Sequence, residues 1–378
     1  MKCAEWEDGF RFEIVAQDSG TRARCGRLTT PHGIINTPAF MPVGTYGAVK
    51  GISPDELRAA GAEIILANAL HLEFRPSAQT VQRLGGLHRI MGWEGPILTD
   101  SGGFQSFSLA SLTKRNDEGL EIRSPVDGSK RMFRPEDMIA VQRGLGTDFM
   151  MPLDLCAPGD SDRKAARAAL DLTQSWAKRS RQAYDETQPL LGKPQTLFGI
   201  MQGGIYDDLR QEAVEGLLEI GFFGYALGGL AVGEAAEDRW RVVERCDALL
   251  PRAKLRYLMG VGTPEDLRAA VSLGMDLFDC VLPTRNGRKG SLFTSAGKLN
   301  LRNAAFREDP RGIEEGCRCY ACETDDAGRP RFSRGAIRHL LSCGEVLGAR
   351  LGALHNLTYF LKIMADLRAE MAAGLVTQ

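Results

Sequence analysis

The feature that most constrains the fold is a recurring unit made of an amphipathic helix, a glycine and a short apolar run. Three copies start at Ser53-Pro54, Arg134-Pro135 and Thr263-Pro264, each followed by acidic residues, and a looser copy starts at Asp207. A proline in the first helical position loses no hydrogen bond, and acids behind it face the positive end of the helix dipole. The apolar runs do not alternate with polar residues, which is typical of parallel strands buried on both faces.

Counting these runs predicts eight strands. Four lie inside the units, within 63–68, 148–154, 225–229 and 276–279, and the others are 38–43, 96–99, 196–201 and 256–259. Parallel strands that alternate with helices form either an open doubly wound sheet or a closed (β/α)8 barrel. Eight strands over about 300 residues favour the barrel. The predicted fold class is therefore α/β, a (β/α)8 TIM barrel.

Composition excludes several classes of protein. The 378 residues include 47 basic and 48 acidic ones, so a uniformly basic nucleic-acid-binding surface is excluded, although a local basic patch is not. Apolar residues at 43% and charged residues at 25% exclude extensive disorder. The acidic start of the chain is unlike a signal peptide, and no apolar run reaches the ~18 residues of a membrane span. We expect a cytoplasmic protein without a membrane partner.

A second region is predicted to begin after the last strand. Between Pro283 and Arg307 there are six basic residues and no acidic one, which suggests a track for a phosphate backbone or simply a solvated face. A cluster of three cysteines, Cys317, Cys319 and Cys322, of the kind that binds zinc, follows this segment. We therefore expect a catalytic barrel over 1–283, a basic loop and zinc-binding subdomain inserted near the C-terminus over 284–343, and a helical region packed on the barrel over 344–378.

A cysteine cluster predicts the zinc site of this subdomain. Cys317, Cys319 and Cys322 form a C-x-C-x-x-C pattern that suits tetrahedral zinc with one further ligand, and His339, Cys343 and His355 are the candidates. Four protein ligands would make the site structural. The alternative is a set of reduced thiols without metal; a disulfide framework is disfavoured by the odd count of nine cysteines in a cytosolic chain.

Polar residues follow four of the predicted strands at equivalent positions: Asp100, Asp154, Gln202 and Asp279. In a barrel these side chains converge on the C-terminal mouth, where active sites are built. Any one of them alone is explained as a turn or capping residue, but four together favour a site. Two carboxylates in one pocket permit a nucleophile and a proton carrier, the equipment for substitution at a sugar anomeric carbon through a covalent intermediate.

Five stretches carry a family resemblance: 100–105 (DSGGFQ), 228–234 (GGLAVGE), 257–262 (YLMGVG), 278–285 (FDCVLPTR) and the cysteine cluster. On them the chain resembles the bacterial tRNA-guanine transglycosylases, also called queuine tRNA-ribosyltransferases, over nearly its whole length. The resemblance implies a pentosyltransferase of queuosine biosynthesis. Such an enzyme exchanges guanine at the wobble position of tRNAs of the Asp, Asn, His and Tyr type for 7-aminomethyl-7-deazaguanine. It also implies a homodimer with one structural Zn²⁺ per subunit and no nucleotide cofactor.

The same resemblance assigns residues. Asp279 is implied as the nucleophile and Asp100 as the general acid/base. The implied substrate-binding residues are Ser101, Gly102, Gly103, Phe104, Asp154, Gln202, Gly229, Leu230, Glu234 and Met259. Those implied to contact RNA are Gly260, Val261, Gly262, Thr263, Pro264, Glu265, Asp266, Thr284, Arg285, Asn286, Gly287 and Arg288. The implied metal ligands are Cys317, Cys319, Cys322 and His355.

The chain departs from the family pattern at Leu70 and Leu155 near the base pocket and at Ala336 in the dimer contact, while Cys156 and Val232 match the bacterial pocket. Three other functions are considered. A non-catalytic RNA-binding accessory subunit is disfavoured by the presence of both Asp100 and Asp279. A transglycosylase acting on DNA or another tRNA base is disfavoured by the match at 284–288. An unrelated barrel enzyme acting on a phosphorylated small molecule would leave the cysteine cluster and basic segment without a role.

Overall fold

Eight parallel strands form one sheet at the centre of the protein, in a computed structural model that describes residues 6–7, 9–102 and 113–374. The strands are Ala39–Met41, Ile65–Asn68, Ile97–Asp100, Phe149–Met150, Thr196–Met201, Gly224–Leu227, Leu255–Leu258 and Leu277–Asp279. Neighbours in the sheet are neighbours in the sequence, and the eighth strand pairs with the first.

The sheet closes on itself. The last strand pairs in parallel with the first, with Asp279 opposite Met41. The first strand then continues towards the second, because the Gly44 N–H donates to the Leu66 carbonyl at 2.7 Å and the Leu66 N–H donates to the Pro42 carbonyl at 3.0 Å. Closure leaves no sheet edge, so the predicted (β/α)8 barrel is confirmed and the open doubly wound sheet is not formed.

The helices begin where the recurring unit predicts them. The Ser53 and Thr263 side chains each accept a hydrogen bond from the backbone N–H three residues on, and a proline occupies the first turn of both helices. The α-helices are Pro54–Ala59, Ala69–Phe74, Ala78–Arg83, Leu87–Met91, Pro135–Leu145, Arg163–Glu186, Asp207–Ile220, Ala236–Leu249, Pro264–Ser272, Leu282–Arg288, Arg334–Ser342 and Val346–Ala372, with a 3₁₀ turn at Ala304–Phe306. None of them is long and apolar enough to cross a membrane.

Among the described residues, three antiparallel sheets surround the barrel, and sequence analysis assigned no strands to them. Their strands are Trp6–Glu7, Phe10–Gln17, Arg24–Thr30 and Gly33–Thr37 in the first, Thr113–Asn116, Gly119–Arg123 and Lys130–Phe133 in the second, and Ser291–Thr294 with Gly297–Asn300 in the third. The first sheet covers the N-terminal end of the barrel, where the Phe10 ring lies 5.3 Å from that of Phe149 and 5.8 Å from that of Phe223. The opposite end is left open for the site.

A buried carboxylate also ties this first sheet to the barrel. Asp148 is fully buried, and its two oxygens lie 2.7 Å from His32 Nδ1 and 3.1 Å from His88 Nε2. Burial alone would raise the pKa of Asp148, but the two imidazole hydrogen bonds outweigh it and hold that pKa below its usual value. The imidazole rings stack 3.7 Å apart with their planes 19° from parallel, so one metal ion could not lie in both ring planes. The geometry fits a shared carboxylate better than a metal centre.

The C-terminal part has a small apolar core of its own. Its buried members are Leu292, Leu301, Ile313, Cys319, Ala321, Cys322, Ile337, Leu341 and Leu351. The basic segment opens as the helix Leu282–Arg288, which packs along the long helix Val346–Ala372. Gly287 and Gly352 bring the two backbones so close that neither position has room for a Cβ atom. The long helix thus fixes the basic segment at the rim of the barrel.

Candidate active site

Asp279 ends the last barrel strand and is held by two donors. Its Oδ1 accepts hydrogen bonds from the Tyr257 hydroxyl at 2.7 Å and the Gly260 N–H at 2.8 Å. Burial raises the pKa of Asp279, and the two donors oppose that rise without cancelling it. Burial, followed by the charge of Asp279, raises the pKa of Tyr257 well above its ordinary value, so the phenol stays a donor at neutral pH. The Tyr257 hydroxyl and the Gly260 N–H thus orient Oδ1 of Asp279, and the other oxygen, Oδ2, is the one that could face a ligand.

Asp100 ends the third strand in a different environment. Its Oδ2 accepts a hydrogen bond from Asn68 Nδ2 at 3.1 Å, and its Oδ1 accepts one from the Gly102 N–H at 3.3 Å. Burial first, and then the negative charges of Asp154 and Asp279, raise the pKa of Asp100 to about 7. A carboxyl group with that pKa both gives and takes protons at neutral pH, as general acid/base catalysis needs.

Asp154 and Gln202 form a second polar pair inside the mouth. Gln202 Nε2 donates to Asp154 Oδ2 at 2.7 Å, and both side chains are buried. Burial raises the pKa of Asp154 to about 6. Gly229 lies against the Gln202 amide oxygen with φ at +67°, so no other residue fits there without displacing that amide. The pair presents an amide oxygen, a carboxylate and a bare backbone to one side of the cavity.

The buried guanidinium of Arg210 holds this side of the mouth together. Its Nη1 donates to the Met201 carbonyl at 2.9 Å, its Nη2 donates to the Gly228 carbonyl at 2.9 Å, and its Nε donates to the Gly204 carbonyl at 2.8 Å. Met201 ends the strand Thr196–Met201, Gly204 lies in the loop after it, and Gly228 directly follows the neighbouring strand Gly224–Leu227. Arg210 therefore fixes the backbone segments that carry Gln202 and Gly229.

One cavity of about 590 Å³ joins these groups. The predicted residues that line it are Asp100, Asp154, Gln202, Gly229, Leu230, Met259, Gly260, Gly262, Thr263, Asp266, Asp279 and Arg285. Ser101 is fully buried instead, with its hydroxyl donating to the Pro152 carbonyl at 2.7 Å. Gly102 has φ at +99°, and a Cβ there would come 2.8 Å from Leu70. Gly103 and Phe104 lie outside the described residues.

Glu234 shapes the cavity wall from behind. Its fully buried carboxylate accepts hydrogen bonds from the Ala231 N–H at 2.6 Å, the Val232 N–H at 2.9 Å and Arg239 Nε at 2.6 Å. Burial raises the pKa of Glu234, but these donors outweigh burial and bring the pKa below its usual value. The ionised carboxylate thereby holds Ala231 at a φ of +57°.

Two segments predicted to contact RNA form part of the rim. In the first, Gly260 and Glu265 are exposed, Thr263 and Asp266 are half-buried, and Val261, Gly262 and Pro264 are buried. In the second, Arg285 is exposed, Asn286 and Arg288 are half-buried, and Thr284 and Gly287 are buried. The structure therefore leaves Arg285 the most accessible cation of the second segment, beside Asp279 in the cavity wall.

The cysteine cluster meets a histidine of the long C-terminal helix. The Sγ atoms of Cys317, Cys319 and Cys322 lie 3.7, 3.6 and 3.5 Å from His355 Nδ1. Ordinary Zn–S and Zn–N bond lengths at tetrahedral angles require about 3.6 Å between sulfur and nitrogen, so the four atoms fit such an ion. His355 Nε2 lies 2.8 Å from the Phe293 carbonyl, which fixes the ring as metal-bound histidines need. Of the three candidates for the fourth ligand, His355 completes this metal-binding group.

Comparison with known proteins identifies the family to which this chain belongs. The family model described as queuine tRNA-ribosyltransferase matches residues 18–378. The chain belongs to the queuine tRNA-ribosyltransferase family. The protein of that name from Nitrosomonas eutropha is 50% identical over 368 residues, which cover 97% of this chain and 98% of the relative. Those from Thioalkalivibrio sulfidiphilus and Marinobacter nauticus are 49% and 48% identical, each covering at least 96% of this chain and 94% of the relative. The family members are pentosyltransferases.

Several residues of this candidate site were missed by sequence analysis. Asn68 ends a barrel strand just as Asp100 does, so the reasoning that found Asp100 would have found it too. Tyr257 lies inside a stretch that carries the resemblance, but nothing in that stretch indicates its bond to Asp279. Arg210 and Arg239 lie on outer helices without any sequence signal, because their roles depend on which loops those helices contact.

Proposed function

We propose that the protein exchanges guanine at the wobble position of tRNAs of the Asp, Asn, His and Tyr type for 7-aminomethyl-7-deazaguanine. The observation that carries the proposal is the pair of buried carboxylates in one cavity with different hydrogen-bond partners. Asp279 is oriented by Tyr257 and Gly260, while the pKa of Asp100 is raised to about 7 by burial and neighbouring carboxylates. Such a pair divides the work between a nucleophile and a proton carrier.

The reaction proceeds by double displacement. The Asp279 carboxylate forms a bond to the ribose C1′ as the bond from C1′ to guanine N9 breaks, and the electron pair of that bond leaves with guanine. Asp100 gives a proton to the departing base. It then takes the N9 proton of the incoming base, whose N9 attacks C1′ and releases Asp279. Each of the two substitutions inverts C1′, so the ribose configuration is retained overall, and no nucleoside triphosphate is needed because one glycosidic bond replaces another.

Asp154, Gln202 and the Gly229 backbone read the edge of the base and Met259 contacts its ring, while Phe104 is assigned as the second stacking residue by the family resemblance alone. Flipping a base into such a pocket gives access to its glycosidic bond. Leu230 and Glu234 then recognise the aminomethyl substituent, Leu230 directly and Glu234 through the backbone of the same loop. Ser101 and Gly102 support the wall beside Asp100, and Gly103 is assigned to the same substrate-binding set by the family resemblance alone.

The tRNA backbone follows the rim segments 260–266 and 284–288, where Arg285 offers an exposed cation. Zn²⁺ fills the group formed by Cys317, Cys319, Cys322 and His355 and has a structural role, because all four positions are taken by protein. We place the subdomain at 284–343, between the barrel and the terminal helical region, and propose that two copies form a homodimer.

A base-exchange assay tests the proposal. Labelled guanine, 7-aminomethyl-7-deazaguanine and queuine are offered in turn to tRNA that carries guanine at the wobble position. We expect the parent protein to incorporate the aminomethyl base and Asp279→Asn to incorporate none. Asp171→Asn is the matched control, because Asp171 is an exposed aspartate on an outer helix. A denaturing gel should show a protein–tRNA adduct with the parent and the control only.

Other results would point elsewhere. Incorporation of queuine in preference to the aminomethyl base would mean that the pocket, with Leu70 and Leu155 behind it, selects a larger substrate. Binding of tRNA without exchange of any base would contradict the enzyme and favour the accessory subunit.

A further inference from the structure

Gln142 is a fully buried residue whose side-chain amide makes four hydrogen bonds. It lies on the helix Pro135–Leu145, outside the barrel sheet. Its Oε1 accepts from the Met151 N–H at 2.9 Å and from the Thr99 hydroxyl at 3.0 Å. Its Nε2 donates to the Met138 carbonyl at 3.0 Å and to the Met151 carbonyl at 2.9 Å. A backbone N–H can only donate and a carbonyl can only accept, so this amide has one possible orientation.

The two bonds to Met151 support the chain at the point where a short barrel strand ends. The strand Phe149–Met150 has only two residues, and Met151 follows it directly. Gln142 offers Met151 both an acceptor and a donor, which is the exchange that a neighbouring strand makes with a paired residue. The segment that begins at Met151 therefore leaves the sheet in a defined direction. This segment carries Asp154, whose carboxylate accepts a hydrogen bond from Gln202.

The bond to Thr99 ties the same amide to the strand that carries Asp100. Thr99 comes directly before Asp100 and is fully buried. Ser101, on the other side of Asp100, donates directly to the Pro152 carbonyl at 2.7 Å. Asp100 is therefore flanked by two links to the neighbouring segment, one direct and one through Gln142.

We propose that Gln142 is a positioning residue that sets the spacing between the Asp100 and Asp154 carboxylates. It is buried behind the cavity wall, and it acts by fixing the two chain segments that carry these aspartates. This inference rests on the proposed function, in which Asp100 carries the proton and Asp154 reads the edge of the base. The spacing matters because like charges that share a pocket act strongly on each other.

The charges that act on Asp100 come from neighbouring strands of the barrel. Burial first, and then the charges of Asp154 and Asp279, raise the pKa of Asp100 to about 7. The Tyr257 phenol also interacts with Asp100, but its own pKa is raised well above the ordinary value, so it is neutral. Of the two charged neighbours, Asp154 is the one whose segment is held by Gln142. If that segment loosens, the Asp154 charge moves away and water enters, and both changes lower the pKa of Asp100.

The first variant is Gln142→Met, which removes all four hydrogen bonds from a side chain of similar length. We expect guanine release at pH 7 to slow about tenfold or more, because a small misplacement of a catalytic group is costly. The alkaline limb of the pH profile of that release should move to lower pH by about half a unit, as Asp154 acts less on Asp100. KM for the incoming base should rise, since Asp154 reads its edge. Single-turnover guanine release between pH 5 and pH 9 and steady-state exchange measure these effects.

A second variant, Thr99→Val, separates the two links that Gln142 makes. Valine has the shape of threonine without its hydroxyl, so the bonds between Gln142 and Met151 remain. We expect guanine release to slow about threefold to tenfold, as loss of one hydrogen bond does. KM for the incoming base should stay at the parent value, because the segment that carries Asp154 is still held. The same two assays therefore distinguish the strand of Asp100 from the segment of Asp154.

The matched control is Gln195→Met. Gln195 is also a buried glutamine, and its Nε2 donates to the Gln142 carbonyl at 3.0 Å and to the Thr147 carbonyl at 2.7 Å. It supports the same helix without a bond to the residues that flank Asp100 or to the segment that carries Asp154. Gln195→Met should therefore lower the melting temperature as Gln142→Met does, while its pH profile and KM stay those of the parent.

A role in folding alone predicts other results. Equal changes in Gln142→Met and Gln195→Met, or an alkaline limb that stays in place in Gln142→Met, would overturn the inference. If Gln142→Met does not fold, Thr99→Val decides, because a rise in KM as large as the fall in the release rate would also contradict the inference. Failure of the parent protein to exchange any base would instead overturn the proposed function.

Discussion

Individual hydrogen bonds determine what each carboxylate of the site can do. Asp100 and Asp279 are both buried strand-end aspartates, so burial raises the pKa of each. The difference comes from their neighbours. Asp279 accepts a phenol and a backbone N–H on one oxygen, whereas Asp100 faces the negative charges of Asp154 and Asp279. The first arrangement favours a carboxylate that attacks, and the second favours a group that holds a proton near neutral pH.

Tyr257→Phe should therefore weaken the nucleophile without disturbing the fold. The hydroxyl donates to Asp279 at 2.7 Å and lowers its pKa, so its removal raises that pKa further. We expect the acid limb of the pH profile of kcat to move up by about one pH unit, with the largest loss of rate on the acid side of the profile. Steady-state exchange between pH 5 and pH 9 measures both. An acid limb that stays in place would show that Tyr257 does not tune Asp279.

Asp154→Asn should lower the pKa of Asp100, whereas Tyr257→Phe is expected to raise the pKa of Asp279. The charge of Asp154 is part of what raises the pKa of Asp100 to about 7, so a neutral amide lowers that pKa. In the proposed mechanism the release of guanine needs protonated Asp100, so the alkaline limb of the pH profile for that release should move to lower pH. Single-turnover release of labelled guanine, followed over a range of pH, measures this alkaline limb independently of any loss in base binding. A limb that moves up, or does not move, would contradict the role given to Asp100.

Helices outside the barrel position the rim as much as the strands do. The helix Leu282–Arg288 carries Arg285, which lines the same cavity as Asp279, and it approaches the helix Val346–Ala372 through paired glycines. Sequence analysis expected a loop with an RNA contact here and could not foresee the helix contact, because Gly287 and Gly352 are far apart in the chain. Their backbones touch only once both helices are placed.

Gly287→Ala should reveal this contact. Its Cβ would overlap the Gly352 backbone, so the helices must separate, at a cost of about 1–3 kcal/mol in unfolding free energy. We also expect weaker tRNA binding, since Arg285 moves with its helix. Denaturant unfolding and a filter-binding titration measure the two effects. Gly20→Ala is the control, because its Cβ would meet only Asp18 at 3.7 Å and should change stability by less than about 0.5 kcal/mol.

The metal group also joins distant parts of the chain. Cys319→Ser should reduce bound zinc from about one ion per chain to nearly none, and the melting temperature should fall by roughly 5 °C or more because the small C-terminal core loses its cross-link. Metal analysis and thermal unfolding measure this. Cys343→Ser is the matched control, since Cys343 is exposed and lies outside the group. Zinc retained in Cys319→Ser, or lost equally in both variants, would contradict the assignment.

Across the molecule, prediction from the sequence succeeded where neighbouring residues carry the pattern. It failed where residues distant in the chain come into contact only in the closed barrel. Capped helices and apolar runs predicted all eight barrel strands, and the strand-end rule placed Asp100, Asp154, Gln202 and Asp279 in one cavity. The sheet that covers the barrel floor went unpredicted. So did the Asp148 network, because His32 and His88 lie far from Asp148 in sequence and meet it only in the closed barrel.

Asp148→Asn should test how much that network contributes to the whole fold. The pKa of Asp148 is lower in the folded protein than its unfolded value of about 3.9, so its contribution is complete above that value and declines as the pH falls through the folded pKa. We expect the variant to be about 3 kcal/mol less stable at pH 7, and the difference to shrink at pH 3. Denaturant unfolding at both pH values measures it. Asp55→Asn, with an aspartate 94% exposed, should show no such difference.

The closing strand also sets when a newly made chain acquires its chemistry. Asp279 is held against Met41 of the first strand, and both Tyr257 and Gly260, its donors, come from the preceding strand and loop. A ribosome releases the first strand long before these residues emerge, and the edge of Ala39–Met41 then has no partner. Neither the carboxylate pair nor the closed sheet can therefore form until the chain has been synthesised beyond Asp279, almost three quarters of the way along it, and the unpaired strand edge leaves the nascent polypeptide vulnerable to aggregation until then.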